Sequence, residues 1–204
     1  YLSKIIDNQF IENSELSIDK FSEIYSDVST NNIIADKYFS YLKNYQISDN
    51  FITDKAPLNF RWIGFIKAYF PTAKIIYSSR LAKDNCLSLN KNLFEGNLNF
   101  SYDEKDLGKY YNLHLDLMEF WKDLLPDSFL EIKYESLIKD QESEIKKIIK
   151  YCGLTWEEQC LNFNKNKNPI KTVSVAQARG PIYKDSVEAY KKFSPYLEDL
   201  FDLV

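Results

Sequence analysis

The stretch Lys74-Ile75-Ile76-Tyr77-Ser78-Ser79-Arg80-Leu81-Ala82-Lys83-Asp84-Asn85-Cys86-Leu87-Ser88 decides the fold class. Its first half is a short apolar run between polar residues, the composition of a strand buried in a parallel sheet. A helical pattern follows at once and is expected over about residues 82–94. Cys86, Leu89 and Leu93, with Leu87 and Phe94, form its apolar side. Asp84, Ser88 and Asn92 recur every fourth residue and fall on one polar stripe. Arg80 therefore stands at the carboxyl end of a strand, where open α/β sheets bind their ligands. A guanidinium there and a hydroxyl two turns into the next helix can grip one phosphate from two directions. Arg80 offers a fork of charged donors and Ser88 one short bond. On spacing alone, a surface arginine and a solvated serine fit equally well.

Downstream, the apolar positions Leu107, Tyr110, Tyr111, His114, Leu117, Met118, Trp121 and Leu124 keep helical spacing over residues 105–125, and Pro126 closes the run. Leu130, Ile132 and Tyr134 alternate with Glu131 and Lys133, which predicts a strand. A helix through Ile145, Ile148 and Ile149 should end at Gly153, a suitable left-handed cap. Thr155-x-x-Glu158 reads as a capping box and Asp185-x-x-Glu188 as a further helix start. Upstream, Trp62, Ile63, Phe65 and Ile66 mark a helix with Pro57 in its first turn, stopped by Pro71. Residues 51–54 read as a strand ending in the loop Lys55-Ala56-Pro57. Two more helices are expected, one over residues 18–28 and one carrying Tyr38, Phe39 and Leu42. Alternating strands and helices predict an α/β fold, a parallel sheet of at least three strands with helices on both faces. Without repeats or a long linker, residues 1–204 read as one domain.

The bulk figures narrow the function classes. A chain of 204 residues with 45% hydrophobic and 16% aromatic content can build a core and is no disordered tail. A net charge of −4 argues against binding to nucleic-acid polymers or anionic membranes, which need a positive field. No apolar run approaches the roughly 20 residues of a membrane span. Cys86, Cys152 and Cys160 are odd in number and lack metal-site spacing, so they read as reduced thiols of a cytoplasmic protein.

Several segments, in order from about residue 51 onward, carry a resemblance. They are Thr53-Asp54-Lys55-Ala56-Pro57-Leu58-Asn59-Phe60, then Phe70-Pro71-x-Ala73-Lys74-Ile75-Ile76 leading to Arg80-x-x-x-Asp84-x-Cys86-Leu87-Ser88. Next come Tyr102-Asp103-x-x-Asp106-Leu107-Gly108-x-Tyr110-Tyr111, Leu117-Met118-x-x-Trp121 and Tyr134-Glu135-x-Leu137. Tyr151-Cys152-Gly153-Leu154-x-Trp156, Thr172-Val173-Ser174-Val175-Ala176-Gln177 and Pro181-Ile182-Tyr183 complete the set. Each is weak alone, but the ordered set resembles bacterial PAPS-dependent sulfotransferases. Many of these are fused to tetratricopeptide repeats and are related to the tyrosylprotein sulfotransferases.

The resemblance implies a P-loop NTPase-like α/β sulfotransferase fold that binds PAPS and moves its sulfuryl group to an acceptor hydroxyl of a peptide, carbohydrate or lipid, protein tyrosine among them. It implies that Arg80 and Ser88 hold the 3′-phosphate, that Tyr134 lies against adenine, and that Ser174, Arg179 and Lys184 belong to a segment closing over the nucleotide. Lys55 matches the lysine that steadies the oxygen bridging sulfur and the leaving phosphate. No metal is implied. PAP would be the product.

Other residues read more plainly. His114 lies within the apolar stripe of the longest helix and is expected to pack there. Tyr110, Tyr111 and Trp121 read as core. Glu12 and Glu15 are not assigned as a base, and both are expected to be solvated. Gly64, Gly96, Gly108, Gly153 and Gly180 form no phosphate-cradling loop. That loop and the family's base are expected upstream of Tyr1, so the chain as given is expected to turn over weakly or not at all. Two rivals stay open. A P-loop kinase would need a Walker lysine and magnesium ligands. A degenerate, non-catalytic nucleotide-binding or helical interaction domain would keep the fold without the chemistry.

Overall fold

The structure is a computed structural model that describes residues 2, 5, 11–12, 15–16, 33–44, 51–94, 98–165, 182 and 185–204. The chain divides into two compact units, residues 1–73 and 74–204.

In the first unit, β1 (Ile11–Glu12) and β2 (Glu15–Leu16) pair antiparallel with Glu12 opposite Glu15. Helix α1 (Ile33–Asn44) turns Ile34, Tyr38 and Leu42, four residues apart, to the interior. They join Leu2, Ile5, Trp62, Phe65 and Tyr69 in one apolar cluster. Helix α2 (Ile63–Tyr69) brings Phe65 and Tyr69 to that cluster. A 3₁₀ turn, Pro57–Trp62, precedes it, with Pro57 at the position where a missing N–H costs nothing. The strand expected over residues 51–54 is absent. No described strand pairs with the segment, and Phe51 and Ile52 stay 67% and 43% exposed. Side chains tie it down instead. Asp54 accepts from the Tyr38 hydroxyl at 3.0 Å and from Asn59 Nδ2 at 3.1 Å. The helix expected over residues 18–28 lies outside the described residues.

In the second unit, β3 (Ile75–Ser79) and β4 (Phe129–Lys133) run parallel, with Ile75 opposite Phe129 and Ser79 opposite Lys133. The chain is thus α/β, but its parallel sheet has two strands among the described residues, not three. Helix α3 (Ala82–Asn90) follows β3, and α4 (Glu104–Leu124) makes the crossover toward β4. Helices α5 (Tyr134–Lys139) and α6 (Gln141–Tyr151) follow β4, and α7 (Glu198–Phe201) ends the fold.

Local chemistry sets these boundaries. Asp103 caps α4 by accepting from the Asp106 N–H at 2.9 Å, and Asp140 caps α6 by accepting from Ser143 at 3.1 Å. Gly153 takes φ +72° just past α6, as a left-handed cap requires. The core joins Cys86 and Leu87 of α3, Leu107 and Tyr111 of α4, and Leu200 and Phe201 of α7.

Four further expectations are corrected. Helix α3 stops at Asn90, so Leu93 falls beyond it and is 86% exposed. Tyr134 opens α5 and does not close β4. The Thr155 capping box does not form, because the Trp156 indole N–H donates to the Glu158 carboxylate at 3.1 Å, and a 3₁₀ segment starts only at Glu158. No helix starts at Asp185, because Glu188 adopts the left-handed φ of 57°.

Candidate functional site

The parallel register brings the carboxyl ends of β3 and β4 side by side, so Arg80 and Tyr134, the next residue of each, leave the sheet together. The Arg80 guanidinium lies over the Tyr134 ring, 5.2 Å from its centroid. Its Nη2 donates to the Ser186 carbonyl oxygen at 2.6 Å. The Ser186 hydroxyl in turn meets the Tyr134 hydroxyl at 3.0 Å. Arg80 Nε is buried and has no hydrogen-bond partner among the described residues. Beside this cluster, the Leu81 N–H donates to Glu135 Oε1 at 2.9 Å, joining the two strand ends across the start of α3.

Asp84, one turn into α3, leaves the polar stripe expected of it. It is fully buried. Its two carboxylate oxygens accept from the backbone N–H groups of Glu188 at 2.6 Å and Tyr190 at 2.9 Å. A buried carboxylate demands such partners, because leaving water without them would cost several kcal/mol. Ser88 is half-buried, and its carbonyl accepts from Asn92 Nδ2 at 2.6 Å. Lys55 belongs to the first unit, where it is exposed in an irregular segment and not at the end of a strand. Ser174, Arg179 and Lys184 lie outside the described residues.

His114 packs as its helical position predicts. Its Nε2 meets the Tyr77 hydroxyl at 3.3 Å, and its ring lies 5.6 Å from that of Tyr111. Burial and then Lys122 hold the imidazole pKa below its ordinary value. Burial first, then Tyr111 and Glu131, pushes the Tyr77 hydroxyl up to about 12.

Chemically, the strand ends offer a guanidinium with a buried, uncommitted N–H donor next to a flat ring and a serine. Such a group suits a phosphate attached to an aromatic base. The sequence singled out Arg80, Tyr134 and the Tyr134-Glu135 pair, which the structure brings together at the strand ends, but not Ser186 or the burial of Asp84. Spacing relative to Arg80 could have flagged Asp84. Nothing local could have flagged Ser186, which meets Arg80 across 106 residues of chain.

A sequence profile of the sulfotransferase family matches residues 7–158. The chain belongs to that family. An uncharacterized protein of Aquifex aeolicus (strain VF5) is 34% identical to it over 156 residues, which are 75% of this chain and 20% of the relative. The chain therefore spans about a fifth of that relative's length. The matched residues contain Arg80, Ser88 and Tyr134 and end before Ser186. No helix among the described residues is long and apolar enough to cross a membrane.

Proposed function

We propose that this sulfotransferase takes its sulfuryl group from PAPS and that the ends of β3 and β4 recognise the nucleotide. The observation that carries this reading is Arg80, whose guanidinium lies over the Tyr134 ring with a buried Nε lacking a partner among the described residues. A buried charged donor without an acceptor is costly, and a phosphate oxygen would remove that cost. The residues at hand therefore fit the group.

In this reading Arg80 and Ser88 hold the 3′-phosphate, and Tyr134 lies against adenine. The family resemblance alone adds Ser174, Arg179 and Lys184 to the nucleotide-binding residues. PAPS supplies the sulfuryl group and leaves as PAP. The resemblance gives Lys55 the catalytic role of stabilising the negative charge that grows on the departing phosphate oxygen, an interaction stronger in the transition state than before it. The acceptor oxygen gains the sulfuryl group and gives up its proton. A peptide tyrosine, a carbohydrate or a lipid hydroxyl fits this chemistry, and the protein is proposed to act in the cytoplasm without a metal.

Competitive titration with PAP and ATP tests the reading. The account expects PAP to bind at least about tenfold more tightly. Equal or tighter binding of ATP would favour a kinase and sink the proposal.

A further inference from the structure

Residues 185–204 lie beyond the family match at residues 7–158, yet one of them, Ser186, completes the cluster around Arg80. Asp84 explains how that serine is held. It lies four residues after Arg80 on the same strand-to-helix turn, and its side chain is sealed from solvent. Both of its oxygens are spent on the N–H groups of Glu188 and Tyr190. The left-handed backbone at Glu188 is the bend that lets one carboxylate reach both donors. Ionised acceptors in a dry setting make strong, geometrically strict bonds. The other end of the segment is anchored too, with Leu200 and Phe201 buried in the core. Ser186, two residues before Glu188, is thereby set between Arg80 and Tyr134.

We propose that Asp84 is a positioning residue of the nucleotide site. Through Ser186 it fixes the orientation of the Arg80 guanidinium and the Tyr134 hydroxyl, so a C-terminal segment outside the family match completes the anion seat. The carbonyl of Ser186 engages Nη2, and Nε remains a guanidinium donor with no partner among the described residues. This rests on the nucleotide-binding reading given above. An aspartate that only braced the fold would change stability and leave nucleotide affinity alone once the protein had folded.

Calorimetric titration with PAP of the wild type, Asp84→Asn, Arg80→Lys and the double variant tests the proposal. Asparagine keeps the volume and one acceptor but turns an NH₂ toward the second backbone donor. Asp84→Asn is expected to weaken PAP binding about tenfold in the wild-type background and less than about twofold beside Arg80→Lys, because the two act on one group. An equal loss in both backgrounds, or no loss, overturns the proposal while the nucleotide reading stands. A wild type that binds no PAP removes both. Should Asp84→Asn fail to fold by circular dichroism, Ser186→Ala decides. A drop in PAP affinity of about threefold or more at an unchanged unfolding temperature supports the proposal, and unchanged affinity overturns it.

Discussion

The guanidinium carbon of Arg80 stands 5.2 Å from the centre of the Tyr134 ring, although 54 positions separate the two residues. Register alone makes them neighbours. Ser79 pairs with Lys133 as the last rung of the β3–β4 ladder, and each strand is followed immediately by one of the two residues. A slip of one residue would send the next side chain to the opposite face and undo the contact.

The ring and the hydroxyl of Tyr134 can be separated by mutation. Tyr134→Phe keeps the ring beneath Arg80 and loses the hydroxyl's bond to Ser186, whereas Tyr134→Ala loses both. The alanine variant should weaken PAP binding by about 1–2 kcal/mol, and phenylalanine by less than half of that. Isothermal titration of both variants checks the order.

Gly108 lies inside α4, where alanine normally stabilises a helix by about 1 kcal/mol. Here a Cβ would come within 2.8 Å of Leu203 Cβ and Cδ1. Asn112 Nδ2 holds the same residue's carbonyl at 2.9 Å, which limits how far the C-terminal turn can retreat. Gly108→Ala is therefore expected to destabilise the protein by about 1–3 kcal/mol. Urea unfolding should give a lower midpoint, against the usual propensity trend.

The half-buried His114 makes stability depend on pH. Burial and Lys122 depress its pKa in the folded protein, so the unfolded chain takes up a proton near pH 6.5 while the folded one stays neutral. The unfolded state then holds more protons, and stability falls as pH drops through 6.5 toward the depressed folded value. Urea midpoints at about pH 7.5 and 5.5 should differ in the wild type and differ less in His114→Gln.

Thiol reactivity should follow burial. Cys86 is fully buried in the α3–α4–α7 core, and burial pushes its pKa up to about 12. Cys152 and Cys160 are partly exposed. Iodoacetamide at about pH 8 should label the latter two and spare Cys86 until denaturant is added. Mass spectrometry of the digested protein reads the outcome.

What could be read from the sequence follows the range of the interactions involved. The β3–α3 unit, the long α4 helix, β4 and the Gly153 cap rest on local periodicity and local conformational preference, and each lies within a few residues of its expected place. Arg80 and Tyr134 drew attention because open α/β sheets bind ligands at strand ends, and both residues do stand just past the β3–β4 ladder. The segment at residues 51–54 was misread because its composition fits a strand while a strand exists only with a partner. Asp84 was misread for a related reason. Helical spacing placed it among polar residues, and only the distant N–H groups of Glu188 and Tyr190 make its burial tolerable. Ser186 gave no signal, because its partners come from other parts of the chain.

The central claim is that Arg80 reads a 3′-phosphate. Titrating the wild type and Arg80→Ala with PAP and with AMP, which lacks that group, tests it most directly. The account predicts that the wild type prefers PAP and that the variant loses this preference, at a cost of roughly 1.5–3 kcal/mol for one charge-assisted contact. Equal wild-type affinity for both nucleotides, or a preference that survives in the variant, would contradict it.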